Sequence, residues 1–358
     1  MHKNTHLGII SYISLARVMS MKDGHKRKKQ LIQKLMTKAD SKEKYEMSML
    51  TRGLMCIEKI VCEDTLALFT LLPEMIALEP KCDPEKELVP GSGMICDGYR
   101  WLLQSANQHY QISIEQFEEY LEEYKRRCLA LGSTSLRSYY SIEGNYFQDI
   151  DRERAIQAFE NYKKEPYEEM QGDCPACERR NQVRFYLWMD KKEKADECAK
   201  DLLDGTLACE GGENKYAIYG TYLSYYLRIK DYDKALEMCK VLESHNELDE
   251  YPADAIECYA HFDTNKGIKL YQKSWKKAEK MGTEKSPVYC KDLAKSYCVL
   301  WEALSKKQNT VSIKMPKQFP LYQKRGVYEV AELYQYYHKI YTSIQAKFDE
   351  RNNKINKS

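Results

Sequence analysis

The chain has 358 residues, 43% hydrophobic and 31% charged, with a formal net charge of +2. This is the balance of a globular protein, not of a disordered or membrane-embedded one, and it offers no overall basic field to hold nucleic acid. Thirteen cysteines, an odd number with no secretory leader pattern ahead of them, point to a reducing, cytoplasmic setting.

Residues 1–78 read as an N-terminal helical segment. The apolar run Leu7 to Met21 is interrupted by Ser11, Ser14 and Arg17. It falls short of the roughly 20 apolar residues a bilayer span requires, so it is expected to be a helix of the fold. Lys26-Arg27-Lys28-Lys29 leads into Leu31, Ile32 and Leu35 at helical spacing, which predicts a solvated helix face in preference to a nucleic-acid patch. Tyr45 to Leu78 has the pattern of two helices. Residues 79–93 hold Pro80, Pro84, Pro90 and two glycines and are expected to be a linker.

Residues 94–305 form a long helical array. Met94 to His109 and Ser113 to Leu131 make its first pair, with Ser113 and Gln116 in the capping-box relation. One unit is then written three times: Tyr146 to Ala155, Tyr186 to Ala195 and Tyr226 to Ala235, each copy 40 residues after the last. Tyrosine, an acidic turn, a basic residue and alanine recur in register. The alanine is the residue type that lets two helices cross at about 8–10 Å. Phe159, Ala199 and Cys239 follow one turn on, then Tyr162, Leu202 and Leu242, which completes an apolar stripe of helical period. A shorter fourth copy places Gly267 where the alanine was and Tyr271 one turn later. Ser286 to Ser305 is a further helix, residues 306–322 a polar connector, residues 323–350 a helix capping the array, and residues 351–358 a disordered tail. No period-2 run stands out, so the fold class is all-α. Glycine-rich phosphate loops, nucleophile elbows and His-Glu-x-x-His helices are absent, and no enzyme activity is expected.

A fixed period means that each unit buries its apolar face by stacking on its neighbour. The pattern resembles the tetratricopeptide repeat, although its copies stand 40 residues apart against about 34 in that family. The resemblance implies a right-handed superhelical solenoid of antiparallel helix pairs that binds a protein or peptide in a concave groove. Asp173-Cys-Pro-Ala-Cys177, Leu202 to Cys209 and Phe348-Asp-Glu-Arg-Asn352 are similar to phrases in a group of bacterial cytoplasmic tetratricopeptide proteins. Members of that group carry a histidine a few residues after the third cysteine, where this chain has Asn214.

The same resemblance assigns groove positions on the first helix of each pair. They are Arg137, Tyr140 and Gln148 in the first copy, Arg180, Arg184 and Trp188 in the second, and Ser224 and Arg228 in the third. Arginines and aromatics on one face suit an acidic peptide or protein segment, because guanidinium groups hold carboxylates in a bidentate way. The opposing reading is an ordinary solvated surface paired with local Glu and Asp. A peptide-responsive regulator lacking its own DNA-binding domain is the alternative within the same repeat class.

Cys174-Pro-Ala-Cys177 opens the second copy and Cys209 follows its second helix, so a helical hairpin would bring three sulfurs together. Three thiolates begin a tetrahedral zinc site, for which Glu210, Glu213, Cys258 and His261 are candidate fourth ligands. Redox chemistry at Cys174 and Cys177 is another reading. Packed, reduced thiols without any cofactor are the plainest one.

Overall fold

A computed structural model describes residues 15–62, 64–86, 90–168, 172–209 and 216–353. Among these the chain is helical apart from one pair of three-residue strands, so the all-α class holds. No described helix is long and apolar enough to cross a membrane. The chain separates into two compact units, Met1–Gln171 and Gly172–Ser358.

In the first unit the apolar run at the start is helical from residue 15 to residue 19, and Leu15 and Val18 are buried; its earlier part lies outside the described residues. The helices that follow are α1 (Lys26–Asp40), α2 (Tyr45–Val61), α3 (Leu68–Leu78), α4 (Gly91–Ser105), α5 (Ile114–Ala130), α6 (Arg137–Phe147) and α7 (Arg152–Lys164). The basic run at the start of α1 is not wholly a solvated face. Lys28 is buried and paired with Asp23 and with Glu58, at 3.2 Å from the latter. Residues 79–93 contain two short 3-10 turns and the start of α4, and lie within the first unit. Glu79 accepts from Arg127 Nη1 of α5 at 2.9 Å, which holds that segment against the helices. The capping box forms: Gln116 N–H donates to Ser113 Oγ and Ser113 N–H donates to Gln116 Oε1. Phe117 of α5 then stacks on Tyr146 of α6 with ring centroids 3.5 Å apart.

The second unit comprises α8 (Pro175–Trp188), α9 (Lys192–Leu203), α10 (Ala217–Arg228), α11 (Tyr232–Ser244), α12 (Pro252–Phe262), α13 (Thr264–Met281), α14 (Pro287–Ser305), β1 (Thr310–Ser312), β2 (Val327–Glu329) and α15 (Val330–Asn352). The repeat is visible as burial. Ala155, Ala195 and Ala235 are fully inaccessible, and Phe159, Ala199, Cys239 and Tyr271 are buried one turn on. Gly267 meets Leu300, whose Cδ1 lies 2.7 Å from where a Cβ would stand, so the fourth copy uses glycine for a still closer approach. The turns of the second and third copies match as well. Asp190 and Lys230, 40 residues apart, both take left-handed backbone angles. Lys191 N–H and Asp231 N–H then donate back to the carbonyls of Tyr186 and Tyr226, the reverse bonds that close a helix C-terminus.

The connector departs from its expected polar character. β1 and β2 pair antiparallel, with Val311 opposite Tyr328 and both side chains buried. Three-residue strands are too short for a period-2 signal to register in sequence. Phe319, buried within the same connector, meets Trp275 edge-on at 5.4 Å. The last helix begins at Val330 and runs to Asn352, so Arg351 and Asn352, expected in a disordered tail, are helical, and the Arg351 guanidinium stacks over Phe348. Residues 354–358 lie outside the described residues.

Candidate functional site

Helix α8 carries both groups of residues that the sequence singled out in its copy. Pro175 occupies its first turn, a position where a missing N–H goes unnoticed, and Cys174 is the N-cap residue with extended backbone angles. Cys177 follows inside the first turn. Helix α9 returns the chain, and the turn after it is closed by Gly205 in the left-handed region and by Asp204, which accepts from Thr206 N–H at 3.0 Å. Leu207 N–H donates to the carbonyl of Asp201 at 2.9 Å. This turn delivers Cys209 to the head of α8.

The hairpin brings the three sulfurs together as the sequence implied. Cys174 Sγ lies 3.6 Å and Cys177 Sγ 3.7 Å from Cys209 Sγ. All three are partly exposed, within 4.8 Å of one another, and form a cluster able to hold a metal ion. Zinc–sulfur bonds of about 2.3 Å in a tetrahedron place sulfurs roughly 3.8 Å apart, so the two measured separations fit edges of that figure. Two candidate fourth ligands stand elsewhere. Cys258 is fully buried beside Cys239, and His261 stacks on Tyr232 at 3.8 Å. Glu210 and Glu213, the other two, lie outside the described residues, as does Asn214.

The groove residues divide by what they already touch. Arg137, in the first unit, stacks on Tyr162 at 4.1 Å and donates to the carbonyls of Tyr162 and Glu165 at the end of α7. Arg228 likewise donates to the Leu187 carbonyl at 2.5 Å and to Asp190 at 2.8 Å, at the end of α8. Both guanidiniums satisfy last-turn carbonyls, where a positive charge also complements the helix dipole. Tyr140 packs edge-on against Tyr139.

Arg180, Arg184 and Trp188 follow one another along α8 at intervals of four residues and share one face. Arg184 is exposed, yet desolvation by surrounding protein, then the like charge of Arg180, holds it below the ordinary arginine value, with Asp173 opposing. Two neighbouring guanidiniums one turn apart repel, and an anion placed between them relieves that repulsion.

Asp254 of α12 escaped the sequence reading. Ser224, one of the assigned groove positions, donates its hydroxyl to this carboxylate. Burial, with Glu257 and Asp292 adding, pushes Asp254 up to about 6, against the Ser224 bond and Lys295. The fourth copy stands 32 residues after the third, counting from Ala235 to Gly267, and has Cys258 where the other copies have the repeat tyrosine, so no groove position is assigned in it. No known protein family, curated protein or solved structure matches this chain.

Proposed function

We propose that this chain is a tetratricopeptide-like, non-enzymatic scaffold of a reducing bacterial cytoplasm that takes an acidic segment of a partner protein along α8. The observation that carries the reading is the run of Arg180, Arg184 and Trp188 at four-residue intervals on one face of α8. Paired guanidiniums beside an indole are the side chains that dominate interaction hot spots. Arg137 and Arg228 hold helix-end carbonyls, so charge changes there would also disturb the fold, and α8 is the place to test the reading. Replacing Arg180 and Arg184 together by Glu is expected to lower retention of partner protein in a low-salt pull-down by at least tenfold, while helical circular dichroism stays unchanged. Unchanged retention by the folded variant overturns the reading.

The cysteine cluster supports zinc as a structural part of the same face. Cys174, Cys177 and Cys209 supply three of four corners, and a metal there fixes the first turn of α8, one turn before Arg180. Protein purified reduced and free of chelators is expected to hold one zinc per chain. Cobalt(II) exchanged into the site should show the visible absorption of tetrahedral thiolate coordination. Replacing all three cysteines by serine should abolish both signals; a zinc content unaffected by that replacement rules the site out.

A further inference from the structure

Within the second unit, α13, α14, α15 and the connector surround a cavity of about 200 Å³, with the buried Cys290 in its lining. Its floor is apolar and aromatic: Trp275, Leu293, Ala294, Tyr297 and Tyr337 line it and all are buried. The hydroxyls of Tyr297 and Tyr337 are already engaged, with Ser274 at 2.8 Å and Tyr271 at 2.9 Å. The floor therefore offers mainly ring and methyl surface. Exposed Glu279, Thr283 and Gln318 form the rim, so the lining holds one carboxylate and no basic side chain. Phe319, packed against Trp275, holds the adjoining Gln318 and Pro320 at the mouth.

We propose that this cavity binds a small organic cation, a single aromatic ring bearing a short ammonium arm. Size selects the ring: an engineered apolar cavity of about 150 Å³ accepts benzene, so this one accommodates a ring and a few further atoms. Charge selects the arm. Aromatic rings attract cations through their negative faces, and the rim carboxylate adds an ion-pair partner where the arm emerges. An anionic counterpart of the same size meets Glu279 with like charge and finds no positive group in the lining.

Calorimetric titration of the full chain with 2-phenylethylammonium, phenylacetate and ethylbenzene tests this. Saturable one-to-one binding of the ammonium, at least tenfold tighter than that of phenylacetate and tighter than that of ethylbenzene, is expected. Glu279→Gln changes only an exposed side chain, and should reduce the preference over phenylacetate at least threefold. Ala294→Phe fills the floor and should abolish binding, with helical circular dichroism as the check on folding. Absence of saturable binding, equal binding of the three probes, or a preference untouched by Glu279→Gln would each overturn the proposal.

Discussion

Asp254 is a carboxylate placed where ionisation is unfavourable. Its folded value, raised to about 6, exceeds the roughly 4 of an unfolded aspartate. The neutral form is therefore bound more tightly by the native state. The resulting stability is fully present below pH ~4 and is lost as the pH rises through ~6. Asp254→Asn mimics the neutral acid and keeps an acceptor for Ser224. Its melting temperature should match that of the parent at pH 4 and exceed it at pH 7.5; coincident curves at both pH values would refute the assignment. Long-range pairs of this kind are what sequence reading misses. Lys28 looked like its three basic neighbours because its buried partner Glu58 stands 30 residues further on. The carbonyls that Arg137 and Arg228 engage, 25 and 41 residues away in sequence, likewise leave no local mark. The three clustered cysteines were legible, since a helical hairpin of known length returns its end to its start.

Among the elements, the helix pairs from α6 to α13 were readable because their signal is local and repeated. A small residue, then an apolar one four positions on, recurs wherever two helices cross, and those positions are the buried ones. Glycine marks the tightest crossings. A Cβ on Gly220 of α10 would lie 2.2 Å from the ring of Tyr251, whereas one on Gly93 of α4 meets nothing. Gly220→Ala is expected to lose about 1–3 kcal/mol of stability in urea titration, the usual range for overpacking. Gly93→Ala should instead gain up to about 1 kcal/mol, because alanine has less backbone freedom than glycine to lose on folding. Equal effects would mean that the Tyr251 contact does not hold α10 and the start of α12 together. The β1–β2 pair had no such local signal: three residues cannot establish a period, and only the tertiary pairing of Val311 with Tyr328 reveals it.

At the scale of the molecule, the two units each carry their own interior. Within the second, α12 is buried on two sides: Ala255, Cys258 and Tyr259 join the core of α8 to α11, while Ile256 and Ala260 join that of α13 to α15. Helix α12 thus separates two cores and contributes to both. Proline and glycine drew attention to residues 79–93, yet the units divide at Gln171 and Gly172, in the segment between the first and second copies. That division has no compositional mark, because it follows from which helices share an interior.

The buried thiols turn this division into something a reagent can time. Burial pushes Cys56 up to about 12 and Cys290 and Cys298 up to about 11. Contact with a second thiol, together with burial, raises Cys96 and Cys239. Such groups are protonated and shielded at neutral pH, so an alkylating reagent reaches them only when the surrounding structure opens. Cys56 and Cys96 should then report one opening rate, and Cys239, Cys290 and Cys298 another, read by mass spectrometry of the labelled peptides. A single common rate for all five would mean that the units open as one. With its reduced cysteines spread through both interiors, the chain carries a separate clock for each.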